Sequence, residues 1–175
     1  MDASMSQGSV PTKCVLGIDP GLNTTGYGVL AFGSKGPILR EAGVIRGGTA
    51  KRNIEERLFD IHEGLRDVLT TFRPVAMAIE QLYSHYERPR TAILMGHARG
   101  VICLAAQECN TPVVHYAATH VKKILTGAGH APKDQIQRAI QLELKLKDLP
   151  EPPDVADALA IALCHYYAMK RTSWT

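Results

Sequence analysis

Apolar positions come first in short unbroken runs and later at helical spacing, with turn residues between them. The stretch Cys14 to Asp19 is apolar until its last residue, where Pro20-Gly21 closes it, so it predicts a buried strand ended by a turn. Gly26 to Phe32 predicts a second strand and Ile38 to Arg46 a third, and the glycine-bearing turns between them imply antiparallel neighbours. From about Arg52 to Phe72 the period changes. Ile54, Leu58, Ile61, Leu65 and Leu69 recur at spacings of three and four, the mark of an amphipathic helix, and Arg73-Pro74 stops it.

Val75 to Glu80 predicts a fourth, largely apolar strand, followed by a polar loop holding Ser84, His85, Glu87, Arg88, Pro89 and Arg90. A helix is expected from about Thr91 to Gln107, then a fifth short strand over Pro112 to Tyr116. Three helical stretches follow, starting near Thr119, Pro132 and Pro153, with Gly127-Ala128-Gly129-His130 separating the first two. Three strands and then alternating helix and strand make an α/β domain, a mixed five-stranded sheet flanked by helices. The helix from Thr91 is apolar on more than one side, through Ile93, Leu94, Val101, Ile102 and Leu104. Either one stripe faces the sheet and another a partner, or the whole helix is buried.

Composition adds limits. A chain of 175 residues, 45% hydrophobic, builds one core of ordinary size, so one domain is expected over 13–170. Residues 1–12 read as a flexible extension, without the basic and apolar regions of a signal peptide, and 171–175 as a short tail. No apolar run approaches the roughly 18 residues of a membrane span. The four cysteines form no Cys-x-x-Cys pair and suit reduced thiols in a cytoplasmic, soluble protein. A net charge of +3 points only weakly to polyanionic partners, so any nucleic-acid reading must rest on local chemistry.

Four carboxylates offer that chemistry. Asp19 ends the first strand, where open α/β sheets commonly hold ligands, although Asp19-Pro20-Gly21 also suits an ordinary turn. Glu80 ends an apolar strand, and burying an ionised carboxylate without a partner costs several kcal/mol. It must emerge into solvent or be compensated by a cation. Asp154 and Asp157 share a face at the start of a helix, where simple capping is the competing explanation. The small residues Ala156, Ala158, Ala160 and Ala162 would let that helix lie close to the sheet and bring both aspartates to the strand ends. Two like charges about 4 Å apart repel by about 4 kcal/mol at an effective dielectric near 20, so a gathered set needs a counter-charge. All-oxygen ligands favour Mg2+ or Mn2+ over zinc, and two ions about 4 Å apart suit in-line displacement at phosphorus.

Several segments together carry a resemblance: Gly17-Ile18-Asp19-Pro20-Gly21 with Thr25-Gly26-Tyr27-Gly28-Val29, Ala78-Ile79-Glu80-Gln81, Gly96-His97-Ala98-Arg99-Gly100, and Asp154-Val155-Ala156-Asp157-Ala158-Leu159-Ala160. In order and spacing, from about Cys14 to Tyr166, the chain resembles the bacterial RuvC Holliday-junction resolvases. The resemblance implies an RNase H-like fold and a homodimer. It implies magnesium-dependent, symmetric nicking of four-way DNA junctions that leaves 5′-phosphate and 3′-hydroxyl ends, in recombination and repair. It also implies the branch-migration proteins RuvA and RuvB as partners. Asp19, Glu80, Asp154 and Asp157 occupy the family's metal-binding positions, and Lys122 and Lys133 match lysines that support DNA binding and catalysis. Without the resemblance, both lysines would read as solvated helix-surface residues. Lys123, beside Lys122, joins the expected DNA contacts. Tyr83 matches an aromatic whose family role is to contact bases opened at the junction centre. The segment from Tyr83 to Met95 departs from the commonest pattern: Glu87-Arg88-Pro89-Arg90 replaces an Asn-rich stretch and adds one residue, making Arg88 and Arg90 candidate phosphate contacts.

Three other readings compete. An actin- or hexokinase-like phosphotransferase also carries an acidic residue before a hairpin, but usually needs two copies of the domain. A junction-binding protein without chemistry would gain little from concentrated negative charge beside DNA. A nuclease acting on RNA would use the same acidic set.

Overall fold

A computed structural model describes residues 13–81 and 89–172. Five strands, β1 (Cys14–Asp19), β2 (Thr24–Gly33), β3 (Gly36–Arg46), β4 (Met77–Glu80) and β5 (Val113–Tyr116), form one sheet in the order β3-β2-β1-β4-β5. β1 pairs antiparallel with β2 and parallel with β4, and β4 pairs parallel with β5, so β1 lies where the sheet changes from antiparallel to parallel. The mixed sheet expected from the strand pattern is present.

Alternation along the central strands builds two cores. Leu16, Ile18, Met77 and Ile79 face α1 (Ile54–Phe72) and α2 (Pro89–Glu108), while Val15 and Ala78 face the opposite layer. That layer contains α3 (Ala118–Thr126), α4 (Lys133–Glu143) and α5 (Pro153–Thr172). Ile61, Leu65 and Leu69 of the periodic stripe are fully buried, and Arg73, in a left-handed conformation at φ 45°, ends α1 as predicted.

Several boundaries differ from the sequence reading, with β2 and β3 each starting two residues earlier than expected. Val75 and Ala76 lie outside β4, although both hydrogen-bond β1 through their backbones. Arg52 precedes α1 and pairs with Glu56 and Asp60 instead of extending the helix. Pro89 and Arg90, expected in the polar loop, belong to α2; proline suits a first helical turn because the amide it lacks has no intrahelical acceptor there. α2 is not buried throughout, so the wholly buried reading of this helix does not hold. Ala98, Ile102, Ala105 and Ala106 are buried, whereas Ile93 and Leu104 are 61% and 53% exposed.

α5 is buried nearly throughout from Val155 to Tyr166, including all four alanines. Its close approach depends on glycines in the strands beneath it. A Cβ added at Gly17 would lie 2.3 Å from the Ala158 carbonyl oxygen and 2.7 Å from the Ala162 Cβ. One added at Gly26 would lie 2.0 Å from the Asp154 carbonyl oxygen. All three distances are far inside van der Waals contact, and the obstructing atoms are mainly helix backbone, which cannot turn aside. Gly26→Ala is therefore expected to lower stability by about 1–3 kcal/mol and to lift the start of α5 away from the sheet. Urea unfolding checks this; a midpoint equal to the parent's would mean that the helix is not held so closely.

Candidate active site

The parallel β1–β4 pairing, with Ile18 opposite Ile79, brings the carboxyl ends of the two strands side by side, and these ends are Asp19 and Glu80. The turn after Asp19 is braced locally. Buried Thr25 donates its hydroxyl to the Gly21 carbonyl at 2.8 Å, and Gly21 N–H donates to the same hydroxyl at 3.3 Å. α5 contributes Asp154 from its first turn and Asp157 one turn later, both half-buried.

The four carboxylates lie within electrostatic reach of one another through the strand-end acids. Burial, followed by the charges of Asp157, Glu80 and Asp154, pushes the Asp19 carboxyl up to about 7, and Lys133 partly opposes this. Burial and Asp157 also raise Glu80, against Lys122 and Arg99. Asp19 thus senses all three other carboxylates, and Asp157 is common to both strand-end acids. The Lys133 ammonium donates to Asp157 at 3.0 Å, so a cation from α4 is seated against the set.

Among the described residues, no three His, Cys, Asp or Glu side chains are gathered closely enough to hold a metal ion as they stand. The character of the set nonetheless fits a hard divalent cation. It presents only carboxylate oxygens, one held far above its ordinary value by burial and then by its neighbours' charges, and the cation now touching it is a lysine.

The remaining sequence candidates separate. Lys122 on α3 lies half-buried, within electrostatic reach of Glu80. Lys123 is exposed on α3, and Arg90 is exposed in the first turn of α2. Tyr83 and Arg88 lie outside the described residues.

Two arginines were missed as functional candidates. Arg99 on α2 donates to the Glu80 backbone carbonyl and contacts His115 Nδ1 on β5, tying the end of β4 to its neighbour. Burial and the Arg99 charge hold the His115 imidazole below its ordinary value. Arg57 is buried on α1, where it donates to the Asn23 side chain. Its signal in the sequence was a charge set among the apolar positions of a periodic helix, three residues after Ile54 and four before Ile61.

With this geometry established, comparison with known proteins is specific. Residues 15–165 match the family described as Crossover junction endodeoxyribonuclease RuvC. The RuvC of Rhodopirellula baltica is 58% identical over 155 residues, covering 89% of this chain and 86% of that protein. The RuvC of Petrotoga mobilis is 44% identical over 152 residues, covering 86% and 91%. Among solved structures, T. thermophilus RuvC in complex with a Holliday junction substrate matches with a TM-score of 0.85 at 35% identity, covering 92% of this chain and 97% of that one. A mixed sheet with acidic strand ends, matched in sequence and shape over nearly its whole length, makes this chain a member of the RuvC family of crossover junction endodeoxyribonucleases.

Proposed function

We propose that the protein resolves four-way DNA junctions by hydrolysing one phosphodiester in each of two opposed strands, leaving 5′-phosphate and 3′-hydroxyl ends, and that it does so with Mg2+, for which Mn2+ can substitute. The observation that carries this reading is the crowding of Asp19 by Asp157, Glu80 and Asp154 at the switch point of the sheet, with two lysines on the rim. A substrate phosphodiester is itself anionic, so an all-carboxylate centre can approach it only when compensated.

Asp19, Glu80, Asp154 and Asp157 would hold the ions, two per site during catalysis. When bound, the ions would offset the acidic charge, polarise the phosphodiester and lower the pKa of the attacking water. The chain's own residues position and neutralise. Lys133, already extended to Asp157, can move its ammonium onto a phosphate oxygen once Asp157 is otherwise occupied, stabilising charge that grows in the transition state. Lys122 faces the Glu80 side of the site and serves phosphate binding there. Lys123 and Arg90 are exposed cations available to the backbone of the arms; Tyr83 is assigned to the junction centre by resemblance alone, and Arg88 is a candidate phosphate contact in the segment that departs from the family's pattern.

The protein acts as a homodimer. A junction is approximately two-fold symmetric, and paired cuts require two equivalent sites. The exposed Ile93 and Leu104 on α2, together with Phe59 on α1 at 63% exposure, supply apolar surface for the second copy. Sedimentation at twice the chain mass supports this, and sedimentation as a monomer under junction-cutting conditions overturns it. The working context is cytoplasmic recombination and repair in concert with RuvA and RuvB; no described helix is long and apolar enough to cross a membrane.

The decisive experiment compares an immobile four-way junction, a linear duplex and an RNA–DNA hybrid, each with Mg2+ or with chelator. Cleavage confined to the junction and dependent on the ion is expected. Cleavage of the hybrid in preference would transfer the protein to the RNA nucleases, and binding without cleavage would make it a scaffold. Lys133→Ala should slow junction cleavage by about 10²-fold, whereas Asp134→Ala, exposed in the same first turn of α4, should change it little. Equal, small effects would reduce Lys133 to a surface residue.

A further inference from the structure

Arg57 is 5% exposed, yet it is compensated by no carboxylate within 4 Å among the described residues. One guanidinium nitrogen donates to the Asn23 side-chain oxygen, while Nε is buried without any hydrogen-bond partner among them. Burying a cation with a donor unmet is costly, and neither packing nor the Asn23 contact accounts for it. A purely structural latch onto the turn would be served by a neutral donor.

The surroundings set the buried cation beside a cleft that leads to the acidic set. Arg57 lines a cleft of about 590 Å³ together with Thr24, Thr91, Met95 and Asp154. Asp154 belongs to the acidic set, so the cleft runs from the buried arginine to the proposed reaction centre. Its volume is in the range that accommodates a small organic ligand such as a nucleotide. The threonine hydroxyls can hydrogen-bond phosphate or sugar oxygens, and Met95 presents an apolar surface to a sugar or base. A guanidinium can pair its terminal nitrogens with two oxygens of one phosphate, while Nε, shielded from solvent, is not offered to the cleft.

We propose that Arg57 is a positioning residue which binds a backbone phosphate of the cleaved strand, next to the scissile one, and so fixes the register in which that strand meets the carboxylates. This rests on the endonuclease reading of the acidic set. The anchored Asn23, whose backbone carbonyl accepts from Gly47 and Gly48 N–H at 3.1 and 3.2 Å, holds the guanidinium in place before DNA arrives.

Junction binding without divalent ions, measured across a range of salt concentrations, tests this separately from cleavage. Arg57→Met keeps the apolar stem and removes the charge. It should weaken binding about tenfold, as expected for losing a charge-assisted hydrogen bond. The slope of log affinity against log salt should fall by about 0.9 for the one phosphate that is no longer neutralised. Arg57→Lys keeps the charge but not the fork, so it should weaken binding several-fold with the slope unchanged. Asn23→Ala should cost less than either. An unchanged slope in Arg57→Met, or an effect of Asn23→Ala equal to that of the arginine variants, would reduce Arg57 to a latch for the turn. If Arg57→Met does not fold, Arg57→Lys decides, and parental affinity there overturns the proposal. Parent protein that binds the junction but never cuts it with Mg2+ would instead sink the endonuclease reading and leave the binding comparison standing.

Discussion

Asp157→Asn is expected to slow metal-dependent junction cleavage by about 10³-fold or more while leaving junction binding at least as tight as in the parent. Asp157 raises both Asp19 and Glu80 by its charge and is the carboxylate that Lys133 touches, so it is coupled to both strand-end acids and to the lysine of α4. Removing one anionic ligand forfeits a share of the several kcal/mol of charge stabilisation that divalent ions provide, and each 1.36 kcal/mol is tenfold in rate. The amide keeps the shape of the side chain, so α5 stays seated. Binding survives because one negative charge beside the DNA is gone and Lys133 is released. Single-turnover cleavage with Mg2+ and junction binding in chelator measure the two halves independently. A cleavage rate within tenfold of the parent would sink the four-carboxylate centre.

Asp19→Asn is expected to stabilise the metal-free protein at neutral pH, the opposite of the usual effect of changing a largely buried residue. The folded Asp19 carboxyl lies at about 7 against an ordinary 3.8, so the folded chain holds this proton more tightly than the unfolded one. The associated stability is present below about pH 4 and is lost as pH rises through about 7, where the folded state must ionise a crowded acid. A shift of this size corresponds to at most about 4 kcal/mol, reduced as neighbouring carboxylates relax. Urea unfolding in chelator should therefore give Asp19→Asn an advantage of roughly 1–4 kcal/mol at pH 8 that disappears near pH 4. Added Mg2+ should stabilise the parent more than the variant, because a ligand that binds the folded state draws the equilibrium towards it. A variant less stable than the parent at pH 8 would show that Asp19 is not held against its neighbours' charges.

These two effects arise from the same device, a fold that concentrates like charge where the reaction needs cations. Stability and activity pull in opposite directions at Asp19. The cost falls on the metal-free state, and under the proposed function a bound cation would relieve it.

Much of the scaffold was legible because it depends on local rules. The apolar run ending at Asp19, the three-and-four spacing of α1 and the alanine-rich start of α5 each follow from period and side-chain size, and each element formed where its pattern lay. Boundaries were read less well where long-range contacts decide them. Arg52 turns to Asp60 and Glu56 before the helix starts, and Arg90 enters α2 behind a proline that suits a helix start as well as a loop. Asp19, Glu80, Asp154 and Asp157 were legible as a set only through their joint resemblance to a family, since turn and cap explanations competed for three of them.

By itself, then, the sequence determined the strand and helix periods, the fold class and the residue types available for chemistry, because these depend on neighbours a few positions away. Only the tertiary structure decided which charges meet. Gly17 and Gly26 let α5 down onto β1 and β2, which brings Asp154 and Asp157 to the strand ends; Arg99 ties β4 to β5; and Arg57 is buried in the cleft leading to the same centre. Coulomb and desolvation energies depend on distance through space and on burial, and neither is a property of position along the chain.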